Sequence, residues 1–236
     1  MDSHQNPMQK VYGRRLGRPL NAERQSAMDE MYPDLGIDKS LITEKQDIDP
    51  YSLYKDKPKQ IWLEIGFGNG EHLHGCLLRH PEYGFIGAEP FVNGMAAFLK
   101  DIRPDDPQNV RVWMNDAIRL ICSLQSKSID RIYVLNPDPW PKTRHHKRRI
   151  INPENLNEIS RVLKPGGDLV MATDVDDLAV WMTTKAINHP DFEWAAKTKA
   201  DWQIAPENWI HTRYETKGQD AGRKQSYLFF KKTNKS

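Results

Sequence analysis

Four carboxylates in this chain each follow an apolar run, and the last of them, Asp138, is locked in the turn Asn136-Pro137-Asp138-Pro139-Trp140-Pro141. Prolines fix their own φ and restrict the residue before them, so Asp138 has few conformations open to it. A catalytic group held in one place needs that rigidity. Directly beyond it runs Lys142-Thr143-Arg144-His145-His146-Lys147-Arg148-Arg149, with no interleaved acid. Such a run suits a polyanion. Arg144, Lys147, Arg148 and Arg149 would give phosphate contacts that are salt-sensitive and indifferent to base sequence. His145 and His146 are adjacent, with no cysteine beside them, which is a poor metal-ligand pattern.

The other three acids fall into a pattern. Glu64 precedes Gly66-Phe67-Gly68-Asn69-Gly70, a G-x-G-x-G spacing rather than the G-x-G-x-x-G of dinucleotide sites. Glycines let the backbone turn tightly and approach a ligand. An acid beside them disfavours a pyrophosphate and favours a cationic ligand, and the sulfonium and α-amino group of S-adenosylmethionine fit that requirement. Glu89, in Gly87-Ala88-Glu89-Pro90, can accept hydrogen bonds from both hydroxyls of a ribose. Asp116 stands where an adenine amino group would be met.

These acids need a scaffold, and the alternation of the chain supplies one. Strands are expected over 61–65, 83–88, 110–114, 129–135, 168–173, 192–194 and 225–230, with helices over 22–31, 71–79, 92–102, 117–124, 153–163 and 178–188. Strands alternating with helices predict an α/β fold, a largely parallel sheet covered on both faces. The acids then lie at the carboxyl ends of successive strands, where open α/β sheets bind their ligands. Residues 1–57 differ: they hold Tyr12-Gly13-Arg14-Arg15-Leu16-Gly17-Arg18 and scattered prolines. They are expected as a basic, partly flexible N-terminal extension, with the catalytic domain over 58–236.

The composition sets outer bounds. A net charge of +2 over 236 residues does not by itself announce a nucleic-acid partner, so the local run matters more. Two cysteines, Cys76 and Cys122, are too few for a disulfide framework and fit a reducing cytosol. No stretch approaches the ~20 apolar residues of a bilayer span, and residues 1–6 lack the apolar segment of a signal peptide. A cytoplasmic protein with no membrane attachment is expected, with monomer and homodimer both open.

The motifs together resemble the bacterial tRNA (guanine-N7)-methyltransferase family over roughly Trp62 to Phe230. The resemblance rests on Leu63 to Gly70, Gly87 to Pro90, Pro137 to Lys142 with Arg144 to Arg149, Thr173-Asp174, and Thr212-Arg213-Tyr214-Glu215. It implies a class I methyltransferase sheet of seven strands, mostly parallel with an antiparallel last strand. It implies methyl transfer from S-adenosyl-L-methionine to N7 of a variable-loop guanine of tRNA (guanine 46), without a metal. Glu64, Glu89, Asp116 and Asp138 would line the cofactor site, and Lys142, Asp174, Thr212, Arg213, Tyr214 and Glu215 the substrate site. The run Arg144 to Arg149 would contact RNA. Asn69 stands where methionine is expected, and Asn136 where phenylalanine is common.

Guanine N7 has an in-plane lone pair and no proton, so it needs no strong base. The expected work is alignment and stabilisation of the cationic product ring. Asp138 would do both, while Asp174 and Glu215 grip the N1–H and exocyclic amino edge. Three rivals remain at this point: methylation of an amino group in another nucleic acid or a protein, a nicotinamide-dependent oxidoreductase, and a non-catalytic RNA-binding protein on a degenerate methyltransferase fold.

Overall fold

A computed structural model describes residues 12–43, 45–103 and 105–233. Residues 1–6, whose composition argued against a signal peptide, lie outside them. The strands are β1 (Ile61–Ile65), β2 (Gly84–Ala88), β3 (Val110–Trp113), β4 (Ile129–Leu135), β5 (Leu163–Thr173), β6 (Phe192–Trp194) and β7 (Ser226–Lys232). The helices are α1 (Ala22–Leu35), α2 (Glu71–Arg79), α3 (Val92–Asp101), α4 (Ala117–Ser123), α5 (Pro153–Val162), α6 (Asp176–Ile187), α7 (Ala200–Gln203) and α8 (Arg213–Asp220).

All seven strands form one sheet in the order β3-β2-β1-β4-β5-β7-β6. The first five pair in parallel, and β7 runs antiparallel to both β5 and β6. This is the α/β sheet the alternation predicts. β1 and β4 are rich in β-branched and aromatic residues, and β1 and β2 are buried along their whole length. Sheets covered on both faces carry such continuous apolar strands. Two apolar clusters flank the sheet, one around Leu63, Ile132 and Leu169, the other around Trp62, Phe85 and Val170. The chain winds from β1 out to β3, then returns to place β4 on the other side of β1. That reversal opens a crevice at the carboxyl ends of β1 and β4, the place where doubly wound sheets take ligands.

The helices start where the sequence supplies caps. Asp116 accepts from Ile118 N, and Asn152 accepts from Asn155 N ahead of Pro153, fixing the entries of α4 and α5. Three details depart from expectation. α1 runs four residues beyond Met31, through Pro33. β5 begins at Leu163, because Leu163 already pairs with Ile129 before a register shift. α7 and α8 are helices absent from the sequence expectation. The segment before residue 58 is woven into the domain where it is described: Leu35, Ile37, Ile48 and Tyr54 are core residues, and Ile37 N donates to Val112 O. Among the described residues, no helix is long and apolar enough to cross a membrane.

Candidate active site

A cavity of about 530 Å³ opens over the switch point, lined by Gly66, Glu89, Asp116, Asn136, Asp138 and Trp140 among others. Its floor is the turn after β1. Gly66, Gly68 and Gly70 all have positive φ, at 71°, 59° and 80°. A side chain is strained there. A Cβ at Gly66 or Gly68 would meet nothing within 4 Å, so those positions leave an open cradle, whereas one at Gly70 would sit 2.2 Å from Phe98. Asn69, the first departure from the family pattern, is exposed on this turn.

Glu64 does not line the cavity. It is buried, and His72 Nδ1 lies 2.8 Å from its Oε2. Burial is the largest single influence and opposes a charge on His72, but the Glu64 carboxylate and the Cys76 thiol together outweigh it and raise the His72 pKa to about 10. The acid read as facing a cationic ligand is therefore answered by a cation inside the protein, and it anchors the turn to α2.

Glu89 reaches over the turn. Its Oε2 accepts from Gly68 N at 2.7 Å and its Oε1 from Phe91 N at 2.8 Å. Each carboxylate oxygen keeps a further lone pair for a ligand hydroxyl. Burial raises the Glu89 pKa, the two backbone donors oppose the rise, and the nearby Asp138 and Glu64 charges add to it. Asp116 lines the cavity wall as the cap of α4.

The Pro-Asp-Pro-Trp-Pro turn closes the other side. Asn136 and Trp140 bracket it with left-handed φ values of 47° and 44°. For non-glycine residues this backbone is uncommon, it clusters at functional sites, and Asn tolerates it better than most. That explains the second departure: Asn136 suits this corner, and its Oδ1 accepts from Gln225 Nε2 at 2.9 Å, tying the turn to the start of β7. Asp138 faces the cleft, and partial desolvation raises its pKa above the usual carboxylate range. Tyr12 and Arg148 pack around Trp140, with Tyr12 edge-on to it at 6.4 Å and the Arg148 guanidinium 4.9 Å from the Tyr12 ring. The N-terminal segment continues across α3, where Val92 N donates to Arg15 O and Gly17 N to Asn93 Oδ1.

Of the residues expected on the substrate side, Asp174 and Thr212 to Glu215 form a second cluster beside this cleft. Asp174, at the end of β5, accepts from Arg223 Nε at 2.6 Å and from the Tyr214 hydroxyl at 3.4 Å. Burial and then the Asp174 charge raise the Tyr214 pKa; Asp138 contributes in the same direction, which puts α8 within its electrostatic reach. Thr212 caps α8 by accepting from Glu215 N. Glu215 itself is 2% exposed. Trp209 Nε1 donates to one of its oxygens at 3.0 Å and the Tyr227 hydroxyl to the other. The expectation that Glu215 grips a base edge is corrected: its carboxylate is consumed in holding α8 to Trp209 and β7.

The basic run forms a 3₁₀ turn over Thr143–Arg148 and divides by direction. Lys142, Arg144 and Lys147 are exposed. His145 and His146 lie edge-on to Trp140 and Trp181. Arg149 is 1% exposed, donates through Nε to Pro139 O at 2.9 Å, and pairs through Nη2 with Asp177. Its expected phosphate contact is corrected: it buttresses the Asp138 turn from inside. Arg223, Gln225, Trp209, His72 and Arg149's inward role were not foreseen, because each depends on a tertiary contact. Only Thr212 to Glu215 carried a local signal, the Thr-x-x-Glu spacing of a helix start.

Residues 58–228 match a family described as putative methyltransferase. A tRNA (guanine-N(7)-)-methyltransferase of Rhodospirillum rubrum is 41% identical over 223 residues, 94% of this chain and 88% of that protein. Proteins of the same name from Chelativorans sp. and Agrobacterium fabrum are 42% and 41% identical over 219 residues, covering 93% of both chains in each pair. Among solved structures, the 16S rRNA methyltransferase KamB aligns with a TM-score of 0.54 at 14% identity, over 75% of this chain and 89% of that one, a likeness of fold alone. With 41% identity along nearly its whole length, the chain belongs to the tRNA (guanine-N(7)-)-methyltransferase family.

Proposed function

We propose that this chain methylates N7 of guanine 46 in the variable loop of tRNA, in the cytoplasm, with S-adenosyl-L-methionine as donor. The observation that carries the reading is Asp138, held by a strained proline turn at the sheet's switch point and facing the same cavity as Glu89 and the glycine turn.

The residues present suit the cofactor. Gly66 and Gly68 leave room for close backbone approach, Glu89 offers a fixed carboxylate to ribose hydroxyls, and Asp116 stands on the adjoining wall. Glu64 and Gly70 shape the turn from behind. When bound, the cofactor supplies an electrophilic methyl group on a sulfonium. The chain's own work is then positional and electrostatic. Asp138 orients the guanine and faces the positive charge that develops on its imidazole ring, and a preorganised charge in a partly desolvated site does this better than water. No general base is required. Asp174, with Tyr214 and Arg223 around it, presents acceptor oxygens to the guanine's N–H donors. Lys142, Arg144 and Lys147 meet phosphates, with Arg148 steadying Trp140 beside them.

Labelled cofactor and unmodified tRNA test this. One methyl group per tRNA is expected, and a transcript with the variable-loop guanine replaced by adenine should accept none. Equal labelling of both transcripts would overturn the assignment of the target.

A further inference from the structure

The substrate-side segment 208–215 does not stand on its own. One face of α2, the helix that leaves the cofactor turn, carries it. Glu71, the first residue of that helix, accepts from Arg213 N through Oε2 at 2.6 Å, and its Oε1 lies 3.3 Å from Arg213 Nε. Arg213 is the first residue of α8. Helix starts leave backbone N–H groups without an intrahelical partner. Here Thr212 takes one such donor from within α8, and Glu71, 142 residues earlier in sequence, takes another. One turn further along α2, Gly75 leaves space for Ile210: a Cβ there would lie 2.9 Å from Ile210 Cδ1 and 3.0 Å from its Cγ2. At the end of the same face, Arg79 Nη1 donates to Asn208 O at 2.5 Å. His72 adds a ring contact to Trp209 at 5.8 Å, and Trp209 in turn holds Glu215.

We propose that Glu71 is a positioning residue for the tRNA guanine: it caps α8 in trans and, with Gly75 as the seat of Ile210, sets where Tyr214 and the Asp174 cluster present themselves. The proposal rests on the reading that α8 serves the guanine. Neither Glu71 nor Gly75 lines the cavity over the switch point. They act through α8, so their loss should register in tRNA recognition and not in cofactor affinity.

Three variants test this beside the parent enzyme, with KM for tRNA, kcat and cofactor affinity measured separately. Glu71→Ala should raise KM for tRNA about fivefold to tenfold, the scale of a lost helix cap, with cofactor affinity held within about twofold. Glu71→Gln keeps an acceptor for the Arg213 N–H and should recover most of the loss. Gly75→Ala favours the helix in itself, so the protein should fold, yet the added methyl wedges Ile210 away and should raise KM for tRNA. Combining it with Ile210→Ala removes the clashing atoms and should restore KM. An unchanged KM in Glu71→Ala, a parallel fall in cofactor affinity, or a Gly75→Ala defect that Ile210→Ala does not relieve would each overturn the proposal. Inactivity of the parent enzyme on tRNA guanine would instead strike the functional reading on which it rests.

Discussion

The glycine-turn side and the α8 side of this cleft are built by opposite means. Around the glycine turn, the protein works with backbone: Gly68 N and Phe91 N fix Glu89, and the left-handed glycines leave open space. Around α8 it works with side chains, and the acids are already engaged, Asp174 by Arg223 and Tyr214, Glu215 by Trp209 and Tyr227. A backbone-built site is ready before its ligand arrives. A side-chain cluster holds its shape through partners, so under the proposed function its acids either share those partners with the guanine or serve only as supports. Glu215, 2% exposed, has its two oxygens taken by Trp209 and Tyr227, and under the proposed function it is Asp174, 9% exposed, that shares its partners.

Four measurements can break or sharpen that contrast. The largest effect belongs to Asp138, where both sides meet. Asp138→Asn keeps the shape and removes the charge, and its rate of methyl transfer should fall roughly 100- to 1000-fold, the cost of losing one preorganised electrostatic group. Single-turnover kinetics at saturating tRNA and cofactor would show it, and a parental rate would remove the charge-stabilising role. Next is Glu89→Gln. An amide must aim its NH₂ at one of two backbone N–H donors, so cofactor affinity should drop by roughly 10- to 100-fold, the scale of a lost hydrogen bond to a charged group. Calorimetry with the cofactor product checks it, and affinity for tRNA should hold.

The basic run supplies a third contrast. Arg149→Ala should lower Tm by roughly 4–8 °C, corresponding to about 2 kcal/mol, because it strips Pro139 O of a buried donor. Lys147→Ala should leave Tm alone and reduce the salt dependence of tRNA binding by about one counterion. If the two residues behaved alike, the inward and outward division of the run would be wrong. The fourth contrast is in stability against pH. The folded pKa of His72 is raised to about 10 by Glu64 and Cys76 together against burial, above its unfolded value of 6.5. Its contribution is therefore fully present below about pH 6.5 and is lost as pH climbs through about 10. Denaturation midpoints taken across that window should fall, and His72→Gln should flatten the decline.

Much of this was legible in the sequence, for identifiable reasons. The strands at Ile61–Ile65 and Ile129–Leu135 carry β-branched and aromatic residues with turn residues after them, so their ends and the acids there could be placed directly. The glycine spacing marked the cofactor turn because positive φ demands glycine. α8 was hidden: its sequence RYETKGQD is nearly all polar, and its anchorage comes from α2 and β7 rather than from an apolar face of its own. Arg149 was misread because charge alone does not reveal phase. A 3₁₀ turn carries Lys147 out and leaves Arg149, two residues later, turned in. Glu64 was read with its ligand and found with His72, eight residues on, a partner that only the folding of the turn back onto α2 reveals.

The role of Asp138 depends on which atom receives the methyl group. tRNA methylated by the parent enzyme can be treated with the chemistry that breaks the chain at N7-methylguanine and then sized. A single break at the variable-loop guanine is the predicted result. Stable incorporation of label with no break would place the methyl on an amino group, and the role assigned here to Asp138, answering a charge on the imidazole ring, would be contradicted.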